Sequence, residues 1–297
     1  MKLKSKPDGK EVFENLEEKG MKPKKAGQKI PVNQVKDVIQ PIMHSVLVEP
    51  YTNPLGMKFV PVPGTQILMC IHETRNKDFA VFAAENRNVE DSRKNLDFEL
   101  RKATYAIKNN AEHPVIKVNW GEASAFCTWL GTKDGQTYRL PTDHEWSCAV
   151  GIGDQENVDE TPESKSGKIP GFPWGLAYPP PRNNLGNYLD STVVNEGETD
   201  STNLGAYDDG SLLTAPVMSY PANQLGIYDL GGNVWEWCQD LYKPSENWRV
   251  LRGSSWSRHS RNDLKSSNRD SVTPLARANG IGFRCVMEMD ASPHTNQ

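Results

Sequence analysis

The sequence predicts a mixed α and β domain with much ordered loop and little regular structure, and three observations carry this. Two alternating runs, Met57-Lys58-Phe59-Val60-Pro61-Val62 and Gln66-Ile67-Leu68-Met69-Cys70-Ile71, flank Pro63-Gly64 and read as a hairpin. Two short runs preceded by Asn119 and Thr142 carry helical spacing with N-cap signals. Residues 151 to 219 are dense in Gly, Pro, Asn and Asp and hold few long apolar runs.

Composition narrows the classes. The 297 residues carry 34 Lys and Arg against 38 Asp and Glu, a formal charge of −4, so the basic excess that gathers phosphates is missing and no nucleic-acid partner is expected. No apolar run approaches the roughly 20 residues that cross a bilayer, and no apolar segment follows the basic start, so neither a transmembrane segment nor a signal peptide is read. Five cysteines (Cys70, Cys127, Cys148, Cys238, Cys285) are widely spaced without a CxxC pair and read as buried free thiols. The six histidines show no HExxH or other compact ligand spacing, so catalytic zinc is not expected.

Along the chain, residues 1–52 form a polar, lysine-rich segment with one short helix through Val32, Val35, Val38, Ile39, Ile42 and Met43. A folded domain over 53–290 begins with the hairpin. Ala123, Phe126, Cys127 and Leu130 lie on one face of a helix starting near Asn119. Thr142 with Glu145 three residues on is a capping box for a second helix. The loop-rich stretch that follows needs turns, side-chain hydrogen bonds or a cation to hold it, and Asp208-Asp209-Gly210 is one candidate acidic turn. Near the end, the blocks Trp248–Trp256 and Gly280–Met287 read as strands, and Ser257 to Asn279 reads as loop with one short helical turn. No repeat of 20 to 50 residues is present, which disfavours solenoids and propellers.

Seven motifs recur in one order: Leu55-Gly56-Met57-Lys58-Phe59-Val60, His113-Pro114-Val115, Tyr138-Arg139-Leu140-Pro141-Thr142, Phe172-Pro173-Trp174-Gly175, Gly231-Gly232-Asn233-Val234-Trp235-Glu236-Trp237, Arg252-Gly253-Ser254-Ser255-Trp256 and Gly282-Phe283-Arg284. As a set they resemble the sulfatase-modifying-factor domain, the formylglycine-generating-enzyme subtype of the C-type lectin fold. The resemblance implies an α+β, loop-rich domain whose loops are tied by aromatic packing and often by calcium. Fold alone does not give function, because such a scaffold hosts oxidases, sulfoxide synthases and binding proteins.

In the oxidase two cysteines after the Arg-Gly-Gly-Ser-like strand bind copper; the resemblance puts Arg258 and Asp263 at those positions, and neither supplies a soft thiolate. No copper and no enzymatic activity are therefore expected. The same segment resembles the variable region, about 250–287, of proteins diversified by retroelements, in which template asparagine codons of the form AAY are rewritten. Such codons never yield Lys, Glu, Gln, Met or Trp, and from Ser257 to Gly280 the one residue of these types is Lys265, in the framework stretch Leu264-Lys265-Ser266-Ser267-Asn268-Arg269. Ser254 stands where that family usually has Gly.

The resemblance thus implies a ligand-binding protein whose variable contacts are Ser257, Arg258, His259, Ser260, Asp263, Asp270, Ser271, Val272, Leu275, Ala276, Ala278, Asn279 and Gly280, flanked by apolar anchors (Trp235, Trp237, Val250, Leu251, Trp256, Ile281, Phe283, Val286). A frame of fixed residues presenting interchangeable side chains is the physical requirement. Their mixed chemistry suits a macromolecular, protein-like partner more than a cofactor pocket. The resemblance also implies structural calcium on Asn187, the Tyr188 carbonyl, Asp209 and the Ser211 carbonyl, and on Asp229, the Gly232 and Val234 carbonyls and Glu236, oxygen donors that suit a hard cation. The alternatives are a formylglycine-generating oxidase acting on a peptide cysteine and a sugar-binding lectin, although the Glu-Pro-Asn triplet of sugar-binding lectins is absent. Display on a cell surface is expected if a leader has been removed, and a cytoplasmic location otherwise.

Overall fold

The computed structural model describes residues 49–89, 111–182, 184–190 and 204–289. The helix expected between Val32 and Met43 lies outside them. The hairpin forms as read: β1 (Tyr51–Thr52) pairs with β2 (Lys58–Pro61), and β2 with β3 (Ile67–Cys70), all antiparallel. Strand pairing therefore begins just before Asn53. β3 continues to β9 (Val286–Glu288), which also pairs with β4 (Tyr138–Arg139), giving the order β1-β2-β3-β9-β4.

A second sheet has the order β7-β6-β5-β8, from β5 (Trp235–Leu241), β6 (Arg249–Arg252), β7 (Asp270–Val272) and β8 (Ile281–Gly282). Only β5 and β8 run parallel. Two of these strands correct the sequence reading. β5 has Trp235 through Cys238 buried on both faces, so it lacks the alternation of a half-exposed strand. β7 lies inside the stretch expected to be loop; its three residues gain strand form from pairing with β6, a tertiary partner no local pattern announces.

The helices follow their caps. α1 (Asn76–Glu85) escaped the sequence reading because its cap is Arg75, whose backbone amide bonds Asp78, in place of a Ser, Thr, Asp or Asn. α2 (Trp120–Asp134) starts where expected, with Asn119 accepting from the Glu122 amide and Gly135 ending it in the left-handed conformation. α3 (Asp143–Val150) shows the Thr142/Glu145 capping box. α4 (Pro162–Lys165) is a single turn in the loop-rich stretch.

β3 is buried throughout, and its alternation feeds two cores. Leu68 and Cys70 join Phe59, Phe79, Phe82, Phe126, Trp237 and Phe283 on one side. Ile67 and Met69 join Val60, Trp146, Val250 and Val286 on the other. The long irregular stretch is held by a third, aromatic cluster of Phe172, Tyr188, Leu204 and Tyr207, with Trp174 stacked on Phe172 at 4.9 Å and Leu264 inserted from the C-terminal loop.

Phe126 touches Phe79, Phe82, Trp129 and Phe283 with ring centroids 5.5–5.7 Å apart. Phe126→Ala is expected to destabilise the domain by roughly 3–5 kcal/mol in urea unfolding, the range for emptying a large core position.

Candidate functional site

The stretch Ser257–Gly280 leaves the second sheet at the end of β6 and returns at β8. Its fixed points are side chains of the framework. Arg269 is buried and sends Nε to the Asp143 Oδ1 at 2.9 Å and Nη2 to Glu156 Oε1 at 2.6 Å. Arg252, from β6, reaches the same Asp143 Oδ1 at 2.5 Å, and Lys165 from α4 reaches its Oδ2 at 2.8 Å. Burial alone would raise the Asp143 carboxyl, but the Arg252 and Arg269 guanidiniums, with Lys165, hold it well below the ordinary carboxylate range. Asn268 makes a lesser contact, donating to the Asp263 carbonyl at 3.4 Å. Farther along, Arg277 donates to both carboxylate oxygens of Glu122 on α2 and to the Lys117 carbonyl.

None of the thirteen expected contact residues is buried. Ser257, Arg258, Leu275, Ala278 and Asn279 are exposed, Leu275 to 79%, and the others are half-buried. What ties this segment down is its main chain. The Arg258 carbonyl accepts from the Leu189 amide, Pro274 from Trp120, Ala278 from Lys117 and Gly280 from Trp235, at 2.8–3.1 Å. The Tyr178 hydroxyl donates to the His259 carbonyl at 2.8 Å, and the Trp256 indole N–H to the Asn279 carbonyl at 3.2 Å, closing the two ends of the loop on each other. Carbonyl acceptors are the same whatever the side chain, so these tethers survive substitution.

The positions are not equivalent. Val272 and Ala276 pack partly against the main core, so polar replacements there cost more than at Leu275. Gly280 differs from the surface role expected for it: a Cβ would lie 3.1 Å from the Ser255 Oγ and 3.3 Å from its Cβ, so a side chain here would press on the frame. Arg258 and Asp270 approach at 3.8 Å across the surface, both about half exposed, a pair worth little in stability.

The positions matched to copper cysteines, Arg258 and Asp263, lie on this surface, and no cysteine lies between Ser257 and Gly280. The Cys127 and Cys285 sulfurs sit 3.4 Å apart, but both are buried in the core beside Phe126 and Phe283. Burial pushes the Cys285 thiol far above its usual range.

The two oxygen sets expected for calcium behave differently. In the first, Asn187 Oδ1 is buried without a hydrogen-bond partner. Asp209 takes the Tyr188 and Ser211 amides at 2.8 and 2.9 Å, and burial pushes its carboxyl up to about 7. A hard cation fits these donors. In the second, Glu236 is filled by a protein cation: Arg284 reaches its two oxygens at 2.7 and 2.6 Å and the Trp146 indole adds a bond at 3.0 Å. Asp229 accepts from the Met218 amide at 2.8 Å, and Gly232 and Val234 lie in the same chain turn. The guanidinium takes the charge a metal would bring, so this set does not fit calcium. Among the described residues no group of three or more His, Cys, Asp or Glu side chains is arranged around a common metal position.

Two outcomes follow. Asp143→Asn leaves buried cations facing a neutral amide and is expected to destabilise by about 3–5 kcal/mol. Because the folded carboxyl is held below its unfolded value of about 3.9, its contribution is complete above roughly pH 4 and lost as pH falls further, and the variant's stability should be flatter across that acid limb. Ser254 sits at φ +70° with its hydroxyl buried and unpartnered. Ser254→Gly should therefore stabilise by about 1 kcal/mol in the same unfolding assay.

Comparison with known proteins agrees with this architecture. The family model of the sulfatase-modifying factor enzyme 1-like domain matches residues 53–289. The chain is 32% identical over 188 residues to an inactive C-alpha-formylglycine-generating enzyme 2 of Mus musculus, covering 61% of this chain and 51% of that protein. It is 31% identical over 198 residues to a formylglycine-generating enzyme of Bos taurus, covering 61% and 46%. The match thus spans about half the length of these relatives. Among solved structures, PvdO from Pseudomonas aeruginosa superposes with a TM-score of 0.50 at 15% identity, over 81% of this chain and 98% of that one. Treponema denticola variable protein 1 does so with a TM-score of 0.46 at 18% identity, again over 81% and 98%. The motif order, the two sheets with their aromatic cores and the match over 53–289 together establish that the chain belongs to the sulfatase-modifying factor enzyme 1-like domain family.

Proposed function

We propose that this chain is a non-enzymatic binding protein, in which Ser257–Gly280 presents side chains diversified by a retroelement to a macromolecular ligand, a protein in the first instance. One observation carries the reading. The loop is fixed through its carbonyls and a few framework side chains, while the side chains of the other positions reach solvent. A catalytic loop has the opposite need, since its side chains must be fixed. The residue types between Ser257 and Gly280, compatible with rewritten asparagine codons except at framework Lys265, support the same conclusion.

Leu275 is the largest apolar side chain among the variable positions and is exposed, which makes it the natural apolar anchor of such an interface, while Arg258, His259, Asp263 and Asp270 add polar chemistry to the surface. The surface has no Tyr, Trp or Phe among its variable positions, so this particular sequence is a weak binder compared with aromatic-rich ones. Calcium at the Asn187 and Asp209 set would brace the loop around Leu189 that meets Arg258. Added calcium should then raise the melting temperature of the protein but not that of Asp209→Asn.

The test is a library carrying NNY codons at Ser257, Arg258, His259, Asp263, Ser271, Leu275 and Ala278. Most members should fold with melting temperatures within about 2 °C of the parent, as for surface substitutions. Selection against a fixed globular probe such as hen lysozyme should recover binders. Widespread unfolding across the library would sink the reading, as would turnover of a cysteine peptide by the copper-loaded parent. In the genome, a near-repeat of the segment's coding sequence with adenines at the mismatches is expected beside a reverse transcriptase gene.

A further inference from the structure

On α3, His144 and Cys148 lie one turn apart on the same face, a spacing that a search for HExxH passes over. The His144 Nε2 is 3.5 Å from the Cys148 Sγ, and its Nδ1 is buried without a partner. By contrast, His72 Nδ1 meets the Glu73 carbonyl at 2.7 Å and His113 Nδ1 the Thr214 hydroxyl at 3.0 Å. Among the described residues, the Cys148 sulfur is the one hydrogen-bond partner of the His144 ring. Both residues line a cavity of about 990 Å³ whose wall includes Gly64, Asp154, Glu156 and Asn223. Cys148 is half-buried there, whereas Cys70, Cys127, Cys238 and Cys285 are fully buried.

The electrostatics select what can bind. Burial, then the nearby Glu156, Glu145 and Asp154 carboxylates, push the Cys148 thiol up, so the free thiolate and any nucleophilic role for it are disfavoured. Glu156 and Glu145 are paired with Arg269 and Arg139, so the attraction for a metal rests on the two donor atoms themselves, and a bound cation would displace the thiol proton. Distance agrees as well. A tetrahedral ion with a metal–sulfur bond of about 2.3 Å and a metal–nitrogen bond of about 2.0–2.1 Å spaces the two donors by roughly 3.5 Å, which matches the separation of Cys148 Sγ and His144 Nε2.

We propose that His144 and Cys148 form a two-donor site for a soft or borderline divalent cation, zinc or cadmium, with its remaining positions open to water in the cavity. Binding forms one metal–sulfur and one metal–nitrogen bond and releases the Cys148 proton to solvent, with no electron transferred. With two protein donors the site is weaker than a four-ligand structural zinc centre and exchanges readily. His144 directly follows Asp143 on α3, but the site uses neither the Asp143 carboxylate nor any residue of Ser257–Gly280 as a donor.

The experiment titrates the whole chain with Cd²⁺ and follows the thiolate-to-metal charge-transfer band in the ultraviolet. The band should saturate at one equivalent, release one proton, be displaced by Zn²⁺ and vanish in Cys148→Ser. His144→Ala should weaken binding at least about tenfold, with His144→Gln as the alternative should the alanine variant fail to fold. Saturating Zn²⁺ should also slow iodoacetamide alkylation of Cys148 at least about tenfold. A band that persists in Cys148→Ser, binding unchanged in both His144 variants, or alkylation indifferent to Zn²⁺ would each overturn the proposal.

Discussion

The buried carboxylate of Asp143 is the constraint on which the arrangement of the C-terminal half depends. It opens α3, and three cations from three different parts of the chain converge on it: Lys165 from the loop-rich stretch, Arg252 from β6 and Arg269 from the middle of the exposed segment. Glu156 supplies the second negative charge, meeting Arg269 and Lys165. Taking such groups out of water costs several kcal/mol each, and only their mutual geometry offsets it. The gain is positional. Arg252 lies over the Trp146 ring at 4.3 Å and donates to the Ser266 carbonyl, so one cluster ties the strand, the helix and the loop framework together.

Around that cluster the molecule separates two kinds of residue within one short stretch. Leu264, Ser266, Ser267 and Arg269 are buried, while the residues on either side face outward. The carbonyls of Arg258, Pro274, Ala278 and Gly280 serve as tethers along this stretch. Substitution at the exposed positions then costs little, because much of the holding of the loop sits in atoms that every residue type possesses.

Much of the frame was legible because its signals are local. Asn119 with Glu122, and Thr142 with Glu145, announce their helices by the spacing of a side-chain acceptor and the amide it serves. The hairpin announces itself through Pro63-Gly64. What stayed hidden depends on partners far away in sequence. Arg75 caps α1 by an unusual route, β7 exists because β6 lies beside it, and Asp143 meets Arg269 across 126 positions. Glu236 shows the limit most clearly. Its carboxylate resembles a calcium ligand in its motif, yet Arg284, 48 residues on, occupies both oxygens. At Gly280, which a codon rule admits as variable, a Cβ would press on the Ser255 side chain, a long-range contact that the sequence does not announce.

The strand order has a geometric corollary. β7 returns beside β6 at the edge of the sheet, and the chain then crosses to β8 on the far side of β5, about three interstrand spacings or roughly 14 Å away. These spacings are set by the backbone hydrogen-bond ladders of the four strands. In the proposed binding role, substitution would therefore change the side chains that this backbone carries and leave the path of the backbone as the ladders set it.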